Sequence, residues 1–160
     1  MKALFAALLV SVLAHGAPAS AASPQKSPLV GRWALDVSRM PVPPEARPKG
    51  VTIAFKDAGA GKWTTQVEIV DAGGGKSHAE STVPTDGTPT PVTGSLEADT
   101  AAAKMPQPGV LVMQLGKGSQ PASTRIYSVS ADGKTMTEIA AYFGQDGKPI
   151  LRTNYFTRAK

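Results

Sequence analysis

The sequence predicts an all-β fold, an antiparallel sandwich or barrel of eight or nine strands. Three observations carry the prediction. Apolar and polar residues alternate with a period of about two in one segment after another, and these segments recur at spacings near ten residues. The chain also holds 16 Gly and 14 Pro, too few for low-complexity disorder, and they fall between the apolar segments as turn residues should. Beyond residue 21 no segment has a convincing helical period.

The strands follow in order. Leu29 to Val37 places Gly31, Trp33, Leu35 and Val37 on one parity and Arg32, Ala34 and Asp36 on the other. Met40 to Pro48 holds four prolines and reads as an extended surface connector, because proline has no N–H to give a sheet ladder. Val51, Ile53 and Phe55, then Trp63, Thr65, Val67 and Ile69, form two alternating runs joined by a Gly-rich turn, which is a hairpin. Gly73-Gly74-Gly75 is the next turn. It lacks the spacing of a phosphate loop, and no helix follows it. Lys76 to Val83 reads as a polar, exposed strand and Pro84 to Gly94 as a loop. Leu96 to Met105 is assigned to a strand on its length and all-β neighbours, although Ala101-Ala102-Ala103 favours helix. Val110 to Leu115, Ser123 to Val129, Met136 to Phe143 and Ile150 to Phe156 complete the set, with Asp132-Gly133 and Asp146-Gly147 as hairpin dipeptides.

The chain opens on a different kind of segment. Met1-Lys2 is a short positive stretch, Ala3 to Ala14 is apolar apart from Ser11, and Ala19-Ser20-Ala21 fits the small-x-small rule of signal peptidase. The apolar run is far shorter than the roughly 20 residues needed to span a bilayer. Residues 1–21 are therefore expected to be a cleavable secretory signal cut at Ala21/Ala22, with residues 22–28 a flexible leader and residues 29–160 one domain. That places the mature protein in the periplasm or outside the cell, with no transmembrane segment.

Composition narrows the chemistry. The chain has no cysteine, which excludes zinc-thiolate, iron–sulfur and Cys-nucleophile sites. Of its two histidines, His15 lies in the signal and His78 in the polar run Lys76-Ser77-His78-Ala79-Glu80, where an exposed strand histidine is expected. There is no G-x-S-x-G elbow, and one histidine cannot build a multi-histidine metal site. The net charge of +5 is spread along the chain without a Lys/Arg block, so no nucleic-acid partner is expected. An enzyme would need paired carboxylates drawn from Asp36, Glu68, Glu80, Glu97 and Asp99, and no spacing argues for such a pair.

Gly31-Arg32-Trp33 opens the first strand and resembles the Gly-x-Trp signature of lipocalins and related calycin barrels. More of the chain resembles a group of small exported bacterial proteins of lipocalin-like type. The matching pieces are Gly31 to Asp36 with Ser38, the proline-rich connector before Val51-Thr52-Ile53, Pro91 to Gly94, Ala98-Asp99-Thr100, Ser130 to Thr137 and Asp146 to Pro149. The resemblance implies an up-and-down β-barrel. It also implies that Trp33 closes one end of that barrel under a late-strand arginine, Arg158 or Arg152, held there by cation–π attraction. A second lipocalin signature and a disulfide, both usual in that family, are not found.

Such a barrel encloses either a packed core or a cavity for one small ligand. Strand parity selects Trp33, Ile53, Phe55, Val67, Ile69, Leu111, Met113, Leu115, Ile139, Phe143 and Tyr155, with Leu151, as inward residues and candidate cavity lining. The function expected is non-enzymatic binding of a small apolar molecule, with no catalytic residue, metal or cofactor. The alternative is a periplasmic interaction protein, such as a protease or lysozyme inhibitor, engaging a protein partner through its N-terminal leader or the proline-rich loop.

Overall fold

A computed structural model describes residues 26–160. The signal peptide expected over 1–21 and the cleavage expected after it lie outside the described residues, as does most of the expected leader. The end of the leader is tied down. The Ser27 hydroxyl donates to the Pro108 carbonyl, and Arg158 Nη2 donates to the Pro28 carbonyl at 2.6 Å.

Ten strands form one antiparallel sheet: β1 (Gly31–Leu35), β2 (Gly50–Gly59), β3 (Lys62–Val70), β4 (Lys76–Pro84), β5 (Thr90–Pro91), β6 (Thr100–Gln107), β7 (Val110–Lys117), β8 (Gln120–Val129), β9 (Thr135–Phe143) and β10 (Pro149–Arg158). Their spatial order is β4-β3-β2-β1-β10-β9-β8-β7-β6-β5. Every sequential pair but one is thus a hairpin neighbour, and the chain's first and last strands meet at the middle. The two sheet edges approach each other through single bridges, Glu80 with Thr93 and Asp86 with Lys104, so the sheet is a nearly closed barrel. This all-β up-and-down architecture is compatible with a lipocalin-like fold. Among the described residues no helix is long and apolar enough to cross a membrane.

The barrel has one strand more than the upper count expected. The addition is β5, two residues inside the expected Pro84–Gly94 loop. It is too short for any alternation to register, and its proline is tolerated because it sits on the sheet edge. The alanine-rich segment is a strand, beginning at Thr100, with Ala101 and Ala103 buried. In β4 the expected polar strand has one buried face, carrying Ser81 and Val83. The expected first strand stops at Leu35, a short 3-10 turn at Val37–Arg39 follows it, and the proline-rich connector makes a second at Pro44–Ala46. Asp-led turns close the late hairpins, with Asp132 Oδ1 accepting from Lys134 N and Asp146 Oδ1 from Lys148 N.

One end of the barrel is filled. Leu29, Trp33, Phe55, Trp63, Val83, Leu111 and Met136 are buried there. The Phe55 ring meets Tyr127 edge-on at 5.1 Å and tilts against Trp63 at 6.0 Å, arrangements favoured by the ring quadrupoles. Trp33 anchors this end, its indole Nε1 donating to the Leu29 carbonyl at 2.8 Å.

Candidate functional site

The other half of the barrel is hollow. A cavity of about 670 Å³ opens there, within the roughly 300–1,000 Å³ range of small-molecule sites. Its apolar wall comes from the first meander and β7: Leu35 on β1, Val51 and Ile53 on β2, Val67 and Ile69 on β3, Met113 and Leu115 on β7. These residues share the inward parity of their strands, as period two requires. The opposite wall is polar. Ser123, Arg125 and Tyr127 project from β8, Glu138 and Tyr142 from β9, and Arg152 and Asn154 from β10.

The sequence-predicted site residues divide three ways. Ile53, Val67, Ile69, Met113 and Leu115 line the cavity. Trp33, Phe55 and Leu111 point inward but belong to the packed end, each fully buried. Ile139, Phe143 and Tyr155 lie on the outer face, and Leu151 with them. Phe143 and Leu151 are largely exposed, and Tyr155 is covered by the Arg39 guanidinium, 3.3 Å above its ring. On β9 and β10 the expected parity is therefore reversed. The register pairs Met136 with Phe156, Glu138 with Asn154 and Ala140 with Arg152, and these residues face inward. The physical reason is that the interior of these strands is polar, so the larger apolar residues mark the outside.

That polar interior is a connected network around Glu138, which is 2% exposed. Its Oε1 accepts from Arg125 Nη1 and from the Tyr127 hydroxyl, each at 2.9 Å, and its Oε2 accepts from Asn154 Nδ2 at 2.7 Å. Three donors on one carboxylate provide what a buried charge needs. Burial, and after it the charge of Glu138, pushes the Tyr127 phenol well above its ordinary pKa, so it remains a donor. Burial acts to lower the Arg125 pKa, but the carboxylates of Glu138 and Glu97 beside it act the other way and hold the guanidinium charged.

Sequence reasoning missed this network. The available signal was parity. Arg125 shares a face with Ser123 and Tyr127, and Glu138 lies between the buried Met136 and Ala140. Of the carboxylates considered for catalysis, Glu80 and Glu97 reach the cavity wall. Asp36 instead accepts from Ser38 N and Asp99 from Gly118 N, both structural contacts. His78 is exposed on β4, 3.6 Å from Glu80.

The mouth is bordered by the segment between β5 and β6. Gly94, Ser95, Leu96, Glu97 and Ala98 all contribute to the wall. Gly94 seats this segment on β4. Its φ is +73°, and a Cβ there would stand 2.1 Å from the His78 carbonyl oxygen, so only glycine fits. Glu97 reaches inward from this loop to Arg125 Nη2 at 2.5 Å.

No protein-family model matches the chain, and no curated protein matches it.

Proposed function

We propose that the protein is an exported, lipocalin-like binding protein that carries one small, mainly apolar molecule in the hollow half of its barrel and catalyses no reaction. The cavity is the observation that carries this reading: about 670 Å³, with apolar lining from β1, β2, β3 and β7 and a polar side on β8, β9 and β10. Apolar walls with a few placed polar groups are the ordinary chemistry of ligand sites. Every protein donor to Glu138 makes a sound hydrogen bond, which favours a structural and recognition role for that carboxylate over proton transfer. Export rests on the N-terminal signal sequence.

Titration of the purified protein with Nile red, a neutral apolar dye, tests the reading. Saturable binding at one site is expected, weakened at least about tenfold, or some 1.4 kcal/mol, by Ile69→Trp, which fills the apolar wall. Absence of any saturable binding would overturn it.

The alternative of an interaction protein draws on a different surface. Ile126, Ile139, Phe143 and Leu151 expose apolar area on the outer face of β8, β9 and β10, and exposed apolar patches mark contact sites. Capture of a periplasmic hydrolase that is lost on Phe143→Ser with Leu151→Ser would favour it over carriage.

A further inference from the structure

The outside of the barrel has two unlike sides. On β1, β2 and β3 the outward positions include Arg32, Lys56 and Glu68, and Arg32 pairs with Glu68 at 2.7 Å. That is the ordinary solvated side of an antiparallel sheet. On β7 to β10 no outward position from 110 to 114, 124 to 128, 135 to 143 or 149 to 157 carries a charge. Register sets Val112, Ile126, Ile139 and Thr153 side by side across all four strands. Leu151, 77% exposed, and Phe143, 73% exposed, stand on the next rows toward the β9–β10 turn. Lys104 on β6, opposite Val112, and Arg39, over Tyr155, mark the margins of this uncharged face.

We infer that a second copy of the chain docks on this face, in a two-fold symmetric dimer. Charge selects the occupant. The chain carries a net charge of +5, so two copies repel one another over most approaches. On the β7 to β10 face they meet without opposing cations. A partner recognised by its charge would be met on the other side, where Arg32, Lys56 and Glu68 stand. In a two-fold contact the same patch serves both copies, so an uncharged face is its own complement. Depletion of charge also sets the centre of a protein interface apart from other surface.

Area is consistent with this occupant. Strands about 4.8 Å apart, paired over roughly eight residues of about 3.3 Å each, give four strands a face of about 500 Å² in plan. Protruding side chains such as Phe143 and Leu151 add accessible area to that figure. Two such faces bury about 1,000–1,200 Å² in all, the lower edge of specific interfaces. The dimer is therefore weak and reversible, with a dissociation constant of about 1–100 µM. Its formation does not depend on what the cavity holds.

Sedimentation velocity on the purified protein, from about 1 to 200 µM, tests the inference. The weight-average mass is expected to rise from one copy toward two and no further, because a two-fold contact closes on itself. Ile139→Lys brings a like charge from each copy into the contact and is expected to weaken association at least about tenfold. Phe143→Ser is expected to weaken it about threefold or more. Lys56→Gln, on the charged side, is expected to leave it unchanged. Phe143 is so exposed that its substitution leaves the fold intact, so Phe143→Ser decides the matter if Ile139→Lys does not fold. A single copy at the highest concentration overturns the dimer, as does growth beyond two copies. So does a dimer that Ile139→Lys and Phe143→Ser leave unaffected, or one that Lys56→Gln weakens as much as they do.

Discussion

The Arg158 guanidinium lies 4.1 Å above the indole of Trp33, its direct partner across the β1/β10 ladder. The same side chain donates to three carbonyls, those of Pro28, Val30 and Gly133. It therefore joins the start of β1, the end of β10 and the β8–β9 hairpin beneath one aromatic ring. The glycine of Gly31-Arg32-Trp33 follows from this. At Gly31 φ is +133°, and a Cβ would stand 2.6 Å from Arg158 Nη1. The glycine leaves room for the arginine that covers the tryptophan.

Trp33→Ala is expected to destabilise the protein by about 3–5 kcal/mol, the usual cost of truncating a large buried aromatic. Arg158→Ala should cost about 1–3 kcal/mol, from the lost cation–π contact and hydrogen bonds. Urea denaturation measures both. A loss below about 1 kcal/mol for Trp33→Ala would contradict its burial at the closed end.

Arg125→Met strands the Glu138 carboxylate in the barrel and should cost about 3–5 kcal/mol. Adding Glu138→Leu removes the stranded charge and should recover most of that loss, to within about 2 kcal/mol of wild type, the remainder being the acceptor taken from Tyr127 and Asn154. Comparison of the single and double variants by chemical denaturation checks this. A double variant no more stable than the single would show that the pair is not the charge-balancing unit.

Acid should destabilise the fold from its surface. Asp36 is held below its usual pKa by the Ser38 hydroxyl, Glu68 by Arg32, Glu80 by the Gln66 amide, and Asp132 by the Ser130 hydroxyl. Backbone N–H groups do the same for Asp86, from Thr88, and for Asp146, from Lys148. A carboxyl with a lower pKa folded than unfolded binds fewer protons when folded, so its stabilisation is complete above the unfolded values of 3.8 for Asp and 4.5 for Glu. It is lost as pH falls through the lower folded values. Tm should be nearly level from about pH 7 to pH 5 and then decline below roughly pH 4.5. A Tm that rises on acidification through this range would contradict these contacts.

Met113 is buried and lines the cavity. Met113→Ala should cost about 2 kcal/mol, near the low end for such truncations because one side of the residue already faces open space, and should change the affinity for Nile red. Met113→Lys should be more damaging, because it places an unpaired charge against the apolar wall. Unaltered stability and dye binding in both variants would place Met113 outside the interior.

The mature chain is expected to begin at Ala22. N-terminal sequencing of protein recovered from a periplasmic fraction checks this. A cytoplasmic protein retaining Met1 would remove the basis for export.

The closed end was legible because its grammar is local. Gly31, Trp33 and Leu35 share a parity, Ile53 and Phe55 alternate cleanly, and hairpin dipeptides fix where β9 and β10 begin. The polar wall was not, because hydrophobicity identifies the inner face only where that face is apolar. On β9, Ile139 and Phe143 outrank Glu138 and Ala140 by that measure, yet Glu138 is the buried residue, since Arg125, Tyr127 and Asn154 supply its donors from two other strands. Glu97 meets Arg125 across 28 residues of sequence, and no spacing rule links a turn carboxylate to a strand two hairpins later.

The pairing of β1 with β10 also sets the order of assembly. Strands β1 to β4 form one run of hairpins and β5 to β10 another, and only the β1/β10 ladder joins them by a run of paired residues. Residues 149–158 must therefore be present before the barrel can exist. Contacts that span nearly the whole chain are slow to form, because the loop they close is long. A chain that lacks residues 149–158 keeps its two runs of hairpins but has no ladder to join one run to the other.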